Sequence, residues 1–256
     1  MNQNKLTLLI RQHLLMLLLA VFIILPVISF VLGSAAILVY IFWPSDYSRM
    51  TMPSINLAAR HIVVIAHGLN DRPSSWSNNM RHSFKKKLSQ ELEESQVIAL
   101  NWNPYSTNAF RCSVDGKRIG AALGAQMAQS TQLKSVHLIA HSCGSFVILG
   151  LCETLKAKRS DIMVQTTYLA PVGIYGGISW NYGNNYFGSC ADFSDAYIDR
   201  DDPIGFNKEL PPNTYSSDVT DMRKGTRIAV PPHVWPTVYY QQLVDSGDYP
   251  DLHNKR

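Results

Sequence analysis

The chain has 256 residues, 46% of them hydrophobic, which is enough to bury one sizeable core in a single α/β domain. Of the formal charge of +4, Lys5, Arg11, Arg49 and Arg60 against Asp46 place +3 before residue 61, so the rest of the chain is nearly neutral. Nothing in that balance suggests a nucleic-acid partner, and no Cys/His spacing resembles a zinc site.

Residues 14–43 carry no charged side chain. About 20 such residues span a bilayer, which predicts an N-terminal transmembrane helix within residues 14–43, tilted or bent at Pro26 and Gly33. A cleaved signal peptide is the rival, with Gly33-Ser34-Ala35 as its cleavage point. However, apolar residues resume at once from Ile37 to Trp43, and the run is longer than a signal core. Lys5 and Arg11 before the span favour residues 1–43 as a cytoplasmic tip plus single-pass membrane anchor, with the remaining chain extracytoplasmic. A re-entrant hairpin broken at Pro26 would reverse that orientation. Residues 44–60 read as a linker, 61–245 as the folded domain and 246–256 as a polar tail.

The domain opens with His61 to Ala66, a buried strand by its β-branched content and length. It runs into His67-Gly68-Leu69-Asn70-Asp71, where glycine lets the backbone bend so that the Leu69 amide can face a substrate. Met80, Phe84, Leu88 and Leu92 recur every four residues, predicting a helix with one face on the sheet and Lys85, Lys86 and Lys87 on the solvated one. Val97 to Trp102 is a second strand. Ile119 to Gln129 is a helix that Gly120, Gly124 and Ala128 allow to pack closely; Val136 to Ala140 is a third strand, and Ser145 to Lys158 is its helix. This alternation predicts an α/β fold, a mainly parallel sheet with helices on both faces. Met163 to Leu169 is the next strand. Residues 173–190 hold five glycines among aromatic residues without a period, predicting a long loop over the site that serves as lid, substrate wall or packed cover. Phe193 to Ile198 and Thr226 to Val230 are the last two strands, with a helix starting at Trp235 or Pro236.

Between the third strand and its helix stands Ala140-His141-Ser142-Cys143-Gly144. A serine at such a corner is held on a strained turn, its hydroxyl exposed at the carboxyl end of the sheet, so Ser142 is the candidate nucleophile. Serine needs a base with a pKa near ~6.5, which only histidine supplies unshifted. Among eight histidines, His233 lies in a loop after the last strand, where the order serine, acid, histidine puts the base. His141 adjoins Ser142, but its side chain is expected to point away; His67 is expected to make a structural hydrogen bond. The acid is sought after Phe193 to Ile198. Asp202, before Pro203-Ile204, is the first choice and Asp201 the alternative, while Asp199 is expected to cap the strand or pair with Arg200.

The set His67 to Asp71 through Trp76, then Asn101-Trp102, Val136 to Gly144, and His233 before Tyr239-Tyr240 resembles the landmarks of α/β-hydrolases, specifically the pancreatic-lipase-like branch. The resemblance covers about residues 61 to 242. It implies an α/β-hydrolase fold, Ser142 as nucleophile, His233 as base and an oxyanion hole from the Leu69 and Cys143 amides. The Asp-Pro-Ile setting of Asp202 also resembles the acid-bearing turn of lipases with this fold. The chain departs from the branch at Ala140, where a glycine is usual, at Ala170, where the acid would stand before a proline, and in having no separate lipid-interface domain. The expected function is a membrane-anchored serine hydrolase of carboxylic, acyl or lipid esters, working through an acyl-enzyme and implying no cofactor. A thioesterase or amidase would use the same triad. A non-catalytic membrane-anchored binding protein with this fold is the other alternative, though it has no need to keep serine, histidine and acid together. Cys143 and Cys152 are expected as free buried thiols; Cys112 and Cys190, in two loops on the site side, are a candidate disulfide pair if the domain is extracytoplasmic, with free thiols as the open alternative.

Overall fold

The computed structural model describes residues 3–91, 94–206, 211–227 and 229–250. Leu92 of the expected first domain helix and the tail residues 251–256 lie outside these. The chain divides into two compact units, Met1–Trp43 and Pro44–Arg256. In the first, α1 (Gln3–Leu19), a π-helical turn (Ala20–Ile24) and α2 (Leu25–Phe42) follow one another directly. Pro26 sits in the first turn of α2, where a missing N–H is tolerated, and Leu19 and Leu25 keep right-handed helical angles. The chain therefore does not turn back at Pro26, as a re-entrant hairpin requires. Among the described residues this one helix is long and apolar enough to cross a membrane.

In the second unit, six parallel strands lie in the order β2 (Ser95–Leu100), β1 (His61–Ala66), β3 (Ser135–His141), β4 (Met163–Leu169), β5 (Phe193–Ile198), β6 (Tyr215–Asp218). Ala66 pairs with Leu100 on one side and Ala140 on the other, which aligns the carboxyl ends of the first three strands. Side chains alternate across β1. Ile62, Val64 and Ala66 enter an apolar layer with α4 (Cys112–Met127) and α5 (Ser145–Lys158), while Val63 and Ile65 enter another with α3 (Ser77–Glu91) and α8 (Trp235–Ser246). Because both faces are covered, the central strands are continuous apolar runs rather than alternating ones.

The expected strand Thr226 to Val230 is not formed at its described residues 226, 227, 229 and 230. The last strand is instead β6, a short edge strand whose Tyr-Ser-Ser-Asp sequence is mostly exposed and has no apolar pattern to reveal it. The short helix α7 (Thr220–Gly225) follows it.

α4 and α5 pack at backbone distance. A Cβ on Gly120 would lie 1.9 Å from the Val147 carbonyl oxygen, and one on Gly150 would lie 2.0 Å from that of Lys117. α4 begins at Cys112 rather than near Ile119, which carries Cys112 to the turn after β3. The candidate Cys112–Cys190 pair and the two expected free thiols are therefore replaced by Cys112–Cys143, with Cα atoms 6.3 Å apart, and Cys152–Cys190, with Cα atoms 6.0 Å apart. Cys190 is drawn to the flank of α5, where the Lys156 ammonium meets Asp192 at 3.0 Å.

Residues 44–60 lie bonded along the domain. The hydroxyls of Ser45 and Tyr47 each donate to Asp115 Oδ1 at 2.9 Å, and Arg111 pairs with the same carboxylate at 3.2 Å. Further along, Gln96 donates to the Ser54 carbonyl and Ser130 to that of Leu57, both at 2.8 Å.

Candidate active site

Past β3 the backbone makes a single 3-10 turn, Ser142–Gly144, and enters α5. Ser142 has φ +54°, a left-handed conformation that costs a residue with a Cβ about 1 kcal/mol or more. Gly144 is obligatory, because a Cβ there would lie 2.5 Å from the His67 carbonyl oxygen. The buried Ala140 shows that one methyl group is accommodated at the position where glycine is usual. From the β1 turn, Gly68 abuts the serine so closely that a Cβ on it would sit 2.9 Å from Ser142 Cβ.

His233, in the loop before α8, places Nε2 2.8 Å from Ser142 Oγ and Nδ1 2.6 Å from Asp202 Oδ2. Asp202 is 1% exposed, and its other oxygen accepts the Ile204 amide at 2.9 Å. Burial works to raise this carboxyl, but the hydrogen bonds from His233 and Ile204 outweigh it and hold the pKa below the ordinary value. An ionised Asp202 accepts Nδ1–H and leaves the Nε2 lone pair for the serine hydroxyl.

The neighbouring carboxylates are committed elsewhere. Asp201 pairs with Arg223 at 2.6 Å and Lys224 at 3.0 Å. Asp199 is buried against Arg223, while Arg200 pairs with Asp218 at 2.7 Å. Asp199 caps the turn as expected, its Oδ1 accepting the Asp201 amide at 2.9 Å, but it does not pair with Arg200, because consecutive residues leaving a strand point to opposite sides. Arg223 thus holds the two acids that precede Asp202. Nothing in the sequence signals that role, since Arg223 lies in α7, a helix with no strong pattern.

His141 does not point away from the site. It shares the β3 face of Ile139, which α8 covers, and its Nε2–H donates to the His233 carbonyl at 2.8 Å. Burial, aided by the nearby His233, pushes its pKa down to about 4, so the ring is neutral. His67 plays the structural part expected of it: its Nδ1–H donates to the Gly68 carbonyl at 3.1 Å, and its ring stacks on Trp102. Burial also lowers its pKa.

Two cavities meet at Leu69, Ser142 and Ile204. One, of about 410 Å³, is bordered by Asp71, Trp76, His141 and His233. The other, of about 290 Å³, is bordered by Phe110, Val172, Ile174, Trp180 and both cysteines of the Cys112–Cys143 bond. Residues 173–190 therefore supply a wall of the second cavity. They are not loop throughout, since α6 (Tyr182–Tyr186) forms within them and Tyr182 stacks on Tyr175 with ring centres 4.4 Å apart. Among the described residues no three His, Cys, Asp or Glu side chains converge as a metal site would need.

No family model and no curated protein sequence matches this chain. Among solved structures, lipase B of Aspergillus fumigatus is similar at 11% identity and a TM-score of 0.42, over 69% of this chain and 50% of that one. An esterase of Pyrococcus furiosus is similar at 14% identity and a TM-score of 0.42, over 73% and 83%. A lipase-esterase related protein of Clostridium acetobutylicum is similar at 12% identity and a TM-score of 0.42, over 75% and 94%. The chain thus spans half the length of the first of these and most of the other two. The fold itself is read from the parallel sheet, the strained serine turn between β3 and α5, and the chain order serine, aspartate, histidine. The domain following the N-terminal apolar helix has the α/β-hydrolase fold.

Proposed function

We infer that the protein is a membrane-anchored serine hydrolase cleaving carboxylic esters with an apolar acyl part. The observation that carries this reading is the hydrogen-bond chain Asp202–His233–Ser142, with links of 2.6 and 2.8 Å, opening onto two cavities. Ser142 Oγ attacks the ester carbonyl carbon as His233 Nε2 takes its proton, and the oxyanion faces the amides of Leu69 and Cys143. Collapse of the tetrahedral intermediate breaks the ester C–O bond, and His233 gives the proton to the departing alcohol. Water repeats the sequence on the acyl-enzyme, releasing the carboxylic acid and restoring Ser142. Asp202 fixes the imidazole tautomer and stabilises its cationic form.

The apolar lining of the smaller cavity supports an acyl chain there. Phe110, Trp180 and Ile204, 62%, 71% and 61% exposed, border it and support a lipid-like substrate. The apolar helix supports the anchor, and Lys5 and Arg11 ahead of it support an outer position for the domain. Two disulfides fit an oxidising compartment and support the same side. The test is labelling of the full-length protein in detergent with a fluorophosphonate probe, followed by p-nitrophenyl esters of graded chain length. Labelling at Ser142 and a preference for acyl chains longer than acetyl are expected; an unlabelled protein would sink the reading.

A further inference from the structure

We propose that the β2–α4 loop, residues 101–111, closed by the Cys112–Cys143 bond, is a positioning element that sets both oxyanion donors. The proposal rests on the ester-hydrolase reading above. Leu69 and Cys143 belong to turns after different strands, β1 and β3, so nothing in their local sequence fixes the angle between their amides. The intervening loop reaches both turns. Its Ser106 carbonyl accepts the N–H of Asn70, the residue after Leu69, at 2.9 Å, and Asn70 is held at φ +55°. Trp102 Nε1–H donates to the His67 carbonyl at 2.9 Å on the other side of Leu69. At the far end of the loop, Cys112 is bonded to Cys143 itself.

The loop is stiff enough to act as a brace. Asn108 Oδ1 accepts the Phe110 amide at 3.0 Å and the Arg111 amide at 3.3 Å, and Tyr105 N–H donates to the Trp102 carbonyl at 3.0 Å. Arg111 then pairs with Asp115 in the first turn of α4. The bond matters for Cys143 because the turn Ser142–Gly144 is three residues long and starts from a left-handed serine. A shift of about 1 Å in such a donor is enough to cost on the order of 10²-fold in rate. Cys152–Cys190, by contrast, borders neither cavity.

The test compares full-length Cys112→Ala/Cys143→Ala with Cys152→Ala/Cys190→Ala on a soluble p-nitrophenyl ester. The first pair should lose about 10–100-fold in kcat with KM changed less than about 3-fold. Its affinity for an alkyl boronic acid, which binds serine as a tetrahedral anion, should fall in proportion. The second pair should keep its kcat. A second route starts from Cys152→Ala/Cys190→Ala protein and adds dithiothreitol, which reduces Cys112–Cys143 to two thiols while being oxidised to its cyclic disulfide. The kcat should drop by a similar factor and return on reoxidation with oxidised glutathione. Unchanged kcat on either route, or loss of native circular dichroism on both, would assign the bond to stability alone and overturn the proposal. Fluorophosphonate labelling of the wild type separates the two failures: a labelled wild type with an equally active variant removes only the brace, whereas an unlabelled wild type removes the hydrolase reading with it.

Discussion

His141 Nε2–H donates to the backbone carbonyl of His233 at 2.8 Å, so the residue preceding the candidate nucleophile holds the loop that carries the candidate base. A neutral hydrogen bond of this kind contributes about 0.5–1.5 kcal/mol, equivalent to roughly 2–10-fold in a rate that depends on alignment. His141→Leu should lower kcat on a soluble ester by that factor, and His141→Gln, whose amide still donates, should lower it less. Equal kcat values for wild type and His141→Leu would show that the loop holds without the bond.

Ser142→Ala should abolish probe labelling and reduce ester turnover by about 10⁴-fold or more while the domain still folds. Full turnover by the purified variant would remove Ser142 from the mechanism.

Asp202 and Asp201 are adjacent in sequence but differ in partners, one bonded to His233 and the other to Arg223 and Lys224. Asp202→Asn should therefore cut kcat by about 10⁴-fold, while Asp201→Asn should change it less than about 3-fold. Steady-state kinetics on one ester decides this, and the reverse order would move the acid to Asp201.

Two buried groups give opposing pH dependences. His141 has a folded pKa of about 4 against 6.5 in the unfolded chain, so below pH 6.5 the unfolded chain binds more protons. Its contribution of roughly 3 kcal/mol is present above pH 6.5 and is lost as the pH falls toward 4. Asp195, inside β5, is pushed up by burial to about 7 from 3.8, even though the Thr167 hydroxyl donates to it at 2.6 Å. In its case the folded state holds the proton more tightly, and roughly 4 kcal/mol present at low pH is lost as the pH rises toward 7. Between pH 4 and 6.5 the two contributions largely offset each other. Asp195→Asn should unmask the histidine: the variant gains stability over wild type at pH 8 and falls steadily on acidification below pH 6.5. Urea unfolding at pH 4.5, 6 and 8 measures this, and parallel pH curves for the two proteins would contradict it.

Protease added to intact cells or spheroplasts should digest the domain that follows Trp43, given the basic residues before the apolar helix. Protection that persists until lysis would reverse the orientation.

The buried strands and the serine turn are legible in the sequence because each carries its own chemistry. Val63, Val64 and Ile65 announce a covered strand, and Ser142 stands between two different apolar periods. The Asp202–His233 contact, 2.6 Å long, joins two residues singled out by a turn and by a place in the chain. What escaped were features decided by partners distant in sequence. Tyr215–Asp218 is a strand only because β5 offers it an edge, and no local pattern distinguishes it from a loop. The cysteine pairing depends on where α4 begins, and the residues before Ile119 have no apolar period to show it. The orientation of His141 depends on α8 covering its face of β3, a contact across almost a hundred residues of chain.

The hydrogen bonds from Ser45 and Tyr47 to Asp115 bear on where a water-soluble version of this domain can begin. A truncation that starts at His61, where the first strand starts, would leave the Asp115 carboxylate to Arg111 and solvent and remove both hydroxyl donors, and a hydrogen bond to a charged group contributes about 1.5–3 kcal/mol. It would also strip Ser54 and Leu57 from Gln96 and Ser130. A chain released by cleavage just after Trp43 keeps all of these bonds, so shedding the domain from its apolar helix at that point should yield a stable free protein, whereas trimming a further seventeen or so residues should not.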